Sequence, residues 1–128
     1  NSNGRPSIMS TIKANTLLHS DGTTTTQPSI PALDQRMAKA WVNFDGTGTI
    51  RSSYGFSSVT DNSTGSYTAN FTTAEPNALY SAVASGGSTP LNPELNGFTT
   101  SGVWVIFKHI DTALATDVTY GCITVFSN

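Results

Sequence analysis

From Trp41 onward, apolar and polar residues alternate in short runs broken by turn-forming residues, which is the pattern of β-strands. It is clearest over residues 66–72, where Tyr67, Ala69 and Phe71 fall on one side of an extended chain and Ser66, Thr68, Asn70 and Thr72 on the other. Trp41, Val42, Asn43 and Phe44 run into Asp45-Gly46-Thr47-Gly48 and resume at residues 49–54, a hairpin with a Gly-containing turn. A second hairpin pairs residues 56–60 with 66–72 around Asp61-Asn62-Ser63-Thr64-Gly65. A turn at Glu75-Pro76-Asn77 precedes a strand over 78–84, and residues 85–101, rich in Gly, Ser, Pro and Asn, read as a long connection. Two strands close the chain, 103–110 and 118–126, joined by 111–117. The first is apolar on both sides, as a strand buried between two layers would be.

No amphipathic helix of ordinary length is present, so the apolar faces of these strands have one another to pack against. The expected fold is all-β, an antiparallel β-sandwich, jelly-roll-like, over residues 37–128; a closed barrel satisfies the same periodicity. Residues 1–36 carry three prolines, the run Thr23-Thr24-Thr25-Thr26 and few large apolar side chains, and read as an extended N-terminal arm for assembly. Within it, residues 12–18 predict a short strand, and residues 32–40, after Pro31, predict one or two helical turns. Neither is stable alone, so the arm is expected to lean on the domain or on another copy. Met9 reads as a natural start, with residues 1–8 a remnant or a processed segment.

Composition narrows the function. Only 11% of the 128 residues are charged, against about 25% in ordinary soluble domains. Six Lys and Arg at a net charge of -2 disfavour nucleic acid, whose binding rests on cations at phosphates. The longest apolar run, Val103 to Phe107, falls far below the roughly 20 residues of a membrane-spanning helix, so no membrane span is expected. The opening residues lack the pattern of a secretory signal. The lone Cys122, between Gly121 and Ile123, reads as a small buried apolar residue.

Candidate chemistry is thin, and no catalytic, metal-binding or cofactor-binding residues are assigned. His19 lies in the arm and His109 at a strand end, with no Gly-x-Ser-x-Gly elbow to supply a nucleophile. Asp45, Asp61, Glu75 and Asp111 sit where a short acceptor supports a turn or loop. A glycan depolymerase would need two carboxylates about 5–9.5 Å apart, which spacing neither shows nor forbids. One Cys and two separated histidines give no zinc pattern, residues 61–65 lack the ligands of a calcium loop, and Gly46-x-Gly48 is followed by no helix to hold a phosphate. Asn62-Ser63-Thr64 and Asn70-Phe71-Thr72 match the glycosylation sequon, as chance allows in so Asn-, Ser- and Thr-rich a chain. What remains is a display of amphipathic aromatics, Tyr54, Tyr67, Tyr80, Tyr120, Trp41 and Trp104, suited to a glycan site, the core or a subunit interface.

The block Ala40-Trp41-Val42-Asn43-Phe44-Asp45-Gly46-Thr47-Gly48, followed by Ile50-Arg51-Ser52-Ser53-Tyr54 and Val59-Thr60-Asp61-Asn62-Ser63-Thr64-Gly65, resembles a pattern of bacteriophage tail-fibre and related virion proteins. It continues through Tyr67 to Ala74, Pro76 to Tyr80 and the closing Cys122-Ile123-Thr124-Val125-Phe126, and the opening Ser10 to Asn15 with His19 to Thr23 resembles the arm of short phage proteins. The resemblance implies a β-sandwich knob in the virion, assembled as a homotrimer. Its N-terminal arm would join other virion proteins and its outer surface would contact the host, where a surface glycan is the suitable ligand. It carries no catalytic residues. Tail fibres are usually longer, with a shaft before the knob, so a capsid decoration or cement protein is the alternative. Trimerisation is further expected from the two-sided apolar closing strands, and residues 85–101 and 61–65 are the loops expected to meet a receptor.

Overall fold

The computed structural model describes residues 10–128, and Met9 with the segment before it lies outside them. The chain divides into two units, Asn1–Pro31 and Ala32–Asn128. In the first, residues 10–18 form no strand, because a lone extended segment leaves its backbone groups without a ladder. Among the described residues of this unit, Gly22 N–H donates to the His19 carbonyl at 2.8 Å, and the Asp21 carboxylate accepts from Thr23 N–H at 2.8 Å. The expected helix shrinks to one turn, α1 (Pro31–Asp34), and Ala40, placed in that helix by the sequence, instead opens the first strand.

The second unit is a sandwich of two four-stranded antiparallel sheets. Sheet A has the order β2 (Ile50–Tyr54), β1 (Ala40–Asp45), β8 (Tyr120–Phe126), β5 (Ser81–Gly87), and sheet B the order β3 (Phe56–Ser63), β4 (Ser66–Phe71), β7 (Gly102–His109), β6 (Leu91–Phe98). Alternation sets the layers. Ala40, Val42 and Phe44 of β1 and Ile123 and Val125 of β8 point inward from sheet A, meeting Tyr67, Ala69 and Phe71 of β4 and Val103, Val105 and Phe107 of β7. The Phe44 ring packs against Tyr67 at 5.1 Å between centroids and against Phe107 at 6.4 Å, while Phe56 stacks on Phe71 at 4.9 Å. Each such side chain contributes about 1.5–3 kcal/mol on burial.

Two glycines are required by this packing. Gly121, paired with Phe44 across β8 and β1, gives the ring its seat, since a Cβ there would fall 2.4 Å from the Phe44 Cζ. Gly65 closes the β3–β4 hairpin at φ 71°, and a Cβ would lie 2.6 Å from the Thr116 nitrogen and 2.7 Å from the Phe107 carbonyl oxygen. That hairpin is tighter than expected, because β3 runs to Ser63 and takes Asp61 to Ser63 out of the turn.

Three further expectations are corrected. Residues 85–101 are not a connection: residues 85–87 complete β5 and Leu91–Phe98 is strand β6. The strand β6 admits Pro93 because it is a sheet edge, paired with β7 alone. The strand expected over 78–84 starts later, at Ser81. Finally, β7 is not buried on both sides within the chain: Val103, Val105 and Phe107 are fully buried, whereas Trp104 is exposed and Ile106 half-buried on the outer face.

Candidate recognition surface

Strand register decides which aromatics reach the surface. Trp41 lies opposite Tyr54 on one side and Thr124 on the other, and Thr124 lies opposite Val83, so these four form a row across the outer face of sheet A. The next row is Ser52, Asn43, Cys122 and Ser85, and Tyr120, two residues before Cys122, shares the same face. Trp41 is 39%, Tyr54 49%, Tyr120 44% and Val83 60% exposed. β-branched and aromatic side chains suit a pleated surface, which explains how the strands carry them; it does not explain why they face water. Cys122, expected to be buried, is half-buried here and is a free thiol.

Two charges border this face and both are engaged. The Arg51 guanidinium stands 4.5 Å from the Tyr120 ring centroid and its Nη1 donates to Asn43 Oδ1 at 3.3 Å. Asp45 turns back into its hairpin, accepting from Thr47 Oγ1 at 2.6 Å, Thr47 N–H at 2.9 Å and Thr49 N–H at 3.1 Å. The Thr47 hydroxyl and amide, with lesser help from Thr49 and Arg51, hold its carboxyl below the usual carboxylate range. Aromatic rings thus lie on this face beside neutral hydroxyl and amide groups.

The outer face of sheet B is built differently. Asn70 Nδ2 donates to Ser58 Oγ and Thr60 Oγ1, each at 3.0 Å, Asn62 Nδ2 to Thr68 Oγ1 at 2.9 Å, and Trp104 Nε1 to the buried Ser66 Oγ at 2.8 Å. Both sequon asparagines are therefore tied into this network. At one end of the sheet a groove of about 310 Å³ is lined by Asn92, Glu94, Lys108, His109, Ile110 and Ala113. The one carboxylate lining it, Glu94, is ion-paired with Lys108 at 2.7 Å, and His109 Nδ1 accepts from Asp111 N–H at 3.2 Å.

The remaining sequence candidates divide between core and turns. The Tyr67 ring is fully buried, with its hydroxyl 2.9 Å from the Gly46 carbonyl and 3.0 Å from Asp117 Oδ1, so its single proton serves two acceptors. Burial, reinforced by the Asp117 carboxylate, raises its pKa above the ordinary tyrosine value. Asp117 also accepts from Gly65 N–H at 2.7 Å and so ties the 110–119 loop to the β3–β4 hairpin. Tyr80 packs on Phe71 and donates to the Gly102 carbonyl at 2.8 Å, and burial raises its pKa too. His19 pairs locally with Asp21 at 3.3 Å. Among the described residues no three His, Cys, Asp or Glu side chains gather as a metal set, and no helix is long and apolar enough to cross a membrane.

Comparison with protein-family models, with curated proteins and with solved structures finds no match for the chain. The surface therefore rests on geometry. Sequence reading named its aromatics without separating Trp41, Tyr54 and Tyr120 from the buried Tyr67 and Tyr80. Parity would have done so: Val42 and Phe44 share one side of β1, which turns Trp41 to the other. The partnership of Arg51 with Tyr120 joins residues 69 positions apart and left no local signal.

Proposed function

We propose that this chain is a structural attachment protein of a bacteriophage virion, a small homotrimeric fibre or adhesin tip. In this reading its arm joins it to other virion proteins and the outer face of sheet A meets a neutral glycan of the host surface. The observation that carries the reading is the row Tyr54, Trp41, Thr124 and Val83 with Tyr120 beside it. Exposed aromatic rings among hydroxyl and amide groups suit the apolar faces and hydroxyl rims of sugars. The likeness of residues 40–80 to tail-fibre sequences supports the virion setting. The acids contribute as scaffold, with Asp45 and Asp117 holding turns and Glu94 paired to Lys108.

The test is binding of the full chain to neutral glycans on an array and to host cells. Replacing Trp41, Tyr54 and Tyr120 together by Ser is expected to lower binding at least tenfold while the circular dichroism spectrum is kept. Undiminished binding by that variant would remove the sheet A face from the reading.

A further inference from the structure

A sandwich of two open sheets has four edge strands, here β2, β5, β3 and β6. Each edge exposes a row of unpaired backbone N–H and C=O groups, a template for another strand, and folded proteins blunt such edges with charges, prolines or bulges. Three of the four are blunted. The strand β2 carries Arg51 and a register shift against β1; β3 carries Asp61 and two shifts against β4; β6 carries Pro93, Glu94 and a shift against β7. The strand β5, Ser81-Ala82-Val83-Ala84-Ser85-Gly86-Gly87, has no charge and no proline, and its pairing with β8 is unbroken over seven residues. Its Val83 side chain is 60% exposed.

The arm supplies a strand without a sheet. Residues 12–18, Ile-Lys-Ala-Asn-Thr-Leu-Leu, match β5 in length and alternate, with Ile12, Ala14, Thr16 and Leu18 on one side, yet form no ladder, and Ile12 is 86% exposed. Charge favours the pairing. Residues 1–31 hold two Lys or Arg against one Asp, net +1, and residues 32–128 hold four against seven Asp or Glu, net -3, which together make the chain's -2. A positive arm is drawn to the negative sandwich of a neighbour.

We infer that residues 12–18 of a second copy add to the free edge of β5, extending sheet A to five strands by β-augmentation between chains. Passed from copy to copy, this head-to-tail contact closes a ring when the rotation per copy allows it. The inference rests on the self-assembly part of the proposed function and on nothing else in it.

The test uses the full chain made in two differently tagged versions within one cell, one carrying a benzophenone side chain at Val83. Illumination is expected to join it to residues 12–18 of the other version, read by mass spectrometry. A link confined to one chain, a link to β5 of the other chain, or no link overturns the inference. In sedimentation equilibrium, Val83→Lys and Ile12→Lys, both at exposed positions, are each expected to weaken self-association at least tenfold, and Thr112→Lys in the 110–119 loop less than twofold. Assembly that survives both substitutions overturns strand addition and leaves the trimer reading standing. A wild-type monomer at all concentrations overturns both.

Discussion

Trp41 and Trp104 are a natural pair for comparison: the same residue, each near the middle of its sheet and facing outward, 39% and 38% exposed. Trp104 gives its indole N–H to the buried Ser66 hydroxyl at 2.8 Å, within a sheet B surface whose Asn, Ser and Thr side chains bond to one another. Trp41 lies on β1 between Tyr54 and Thr124, and no side-chain hydrogen bond to its indole is formed among the described residues. Equal exposure therefore conceals different employment. The sheet B surface is bonded within the fold itself, whereas the sheet A surface presents partly exposed rings, with Trp41 joined to its neighbours by strand pairing rather than by side-chain hydrogen bonds.

The core beneath both faces gives the largest expected effect. Tyr67→Phe deletes a hydroxyl placed against the Asp117 carboxylate and should cost about 1.5–3 kcal/mol in chemical denaturation, with ligand binding through sheet A unchanged. The same hydroxyl gives a pH dependence. With its folded pKa raised above an unfolded value near 10, the unfolded chain releases the proton first, so the contribution is complete below about pH 10 and is lost as pH rises through the folded value. Denaturation midpoints from pH 8 to 11 should fall in the parent and fall less in Tyr67→Phe.

The two faces then separate in order of effect. Trp104→Ala removes the partner of a buried hydroxyl and should destabilise by about 1–3 kcal/mol. Asn70→Ala, which loses the bonds to Ser58 and Thr60, should cost about 0.5–1.5 kcal/mol. Trp41→Thr, which gives up cross-strand packing against Tyr54 and Thr124 but no hydrogen bond of the fold, should cost about 0.2–1 kcal/mol. A Trp41 variant as unstable as the Trp104 variant would erase the distinction between the faces.

How much of this was legible in the sequence depends on the range of the interaction. The hairpins β1–β2 and β3–β4 were, because alternation and Gly-bearing turns are local, and with them came the two-layer fold. The strand β6 was hidden because Pro93 and three asparagines and glycines lie between its inward residues, and only its place at an edge makes Pro93 acceptable. The apolar run of β7 correctly marked a strand but overstated its burial, since Trp104 and Ile106 lie on the outer face of sheet B, where Trp104 is exposed and Ile106 half-buried. The candidate surface depends on β1 lying beside β8, some 80 residues away in sequence, and no local pattern encodes that meeting.

That meeting has a mechanical consequence. Lys39 N–H donates to the Val125 carbonyl at 2.8 Å and Ala40 pairs with Val125, so the sandwich is entered and left at the same end of one antiparallel ladder. Tension applied through both ends of the chain would open the bonds singly, like a zipper, a low-force route. The same ladder pulled lengthwise would resist in shear, with all its bonds loaded at once.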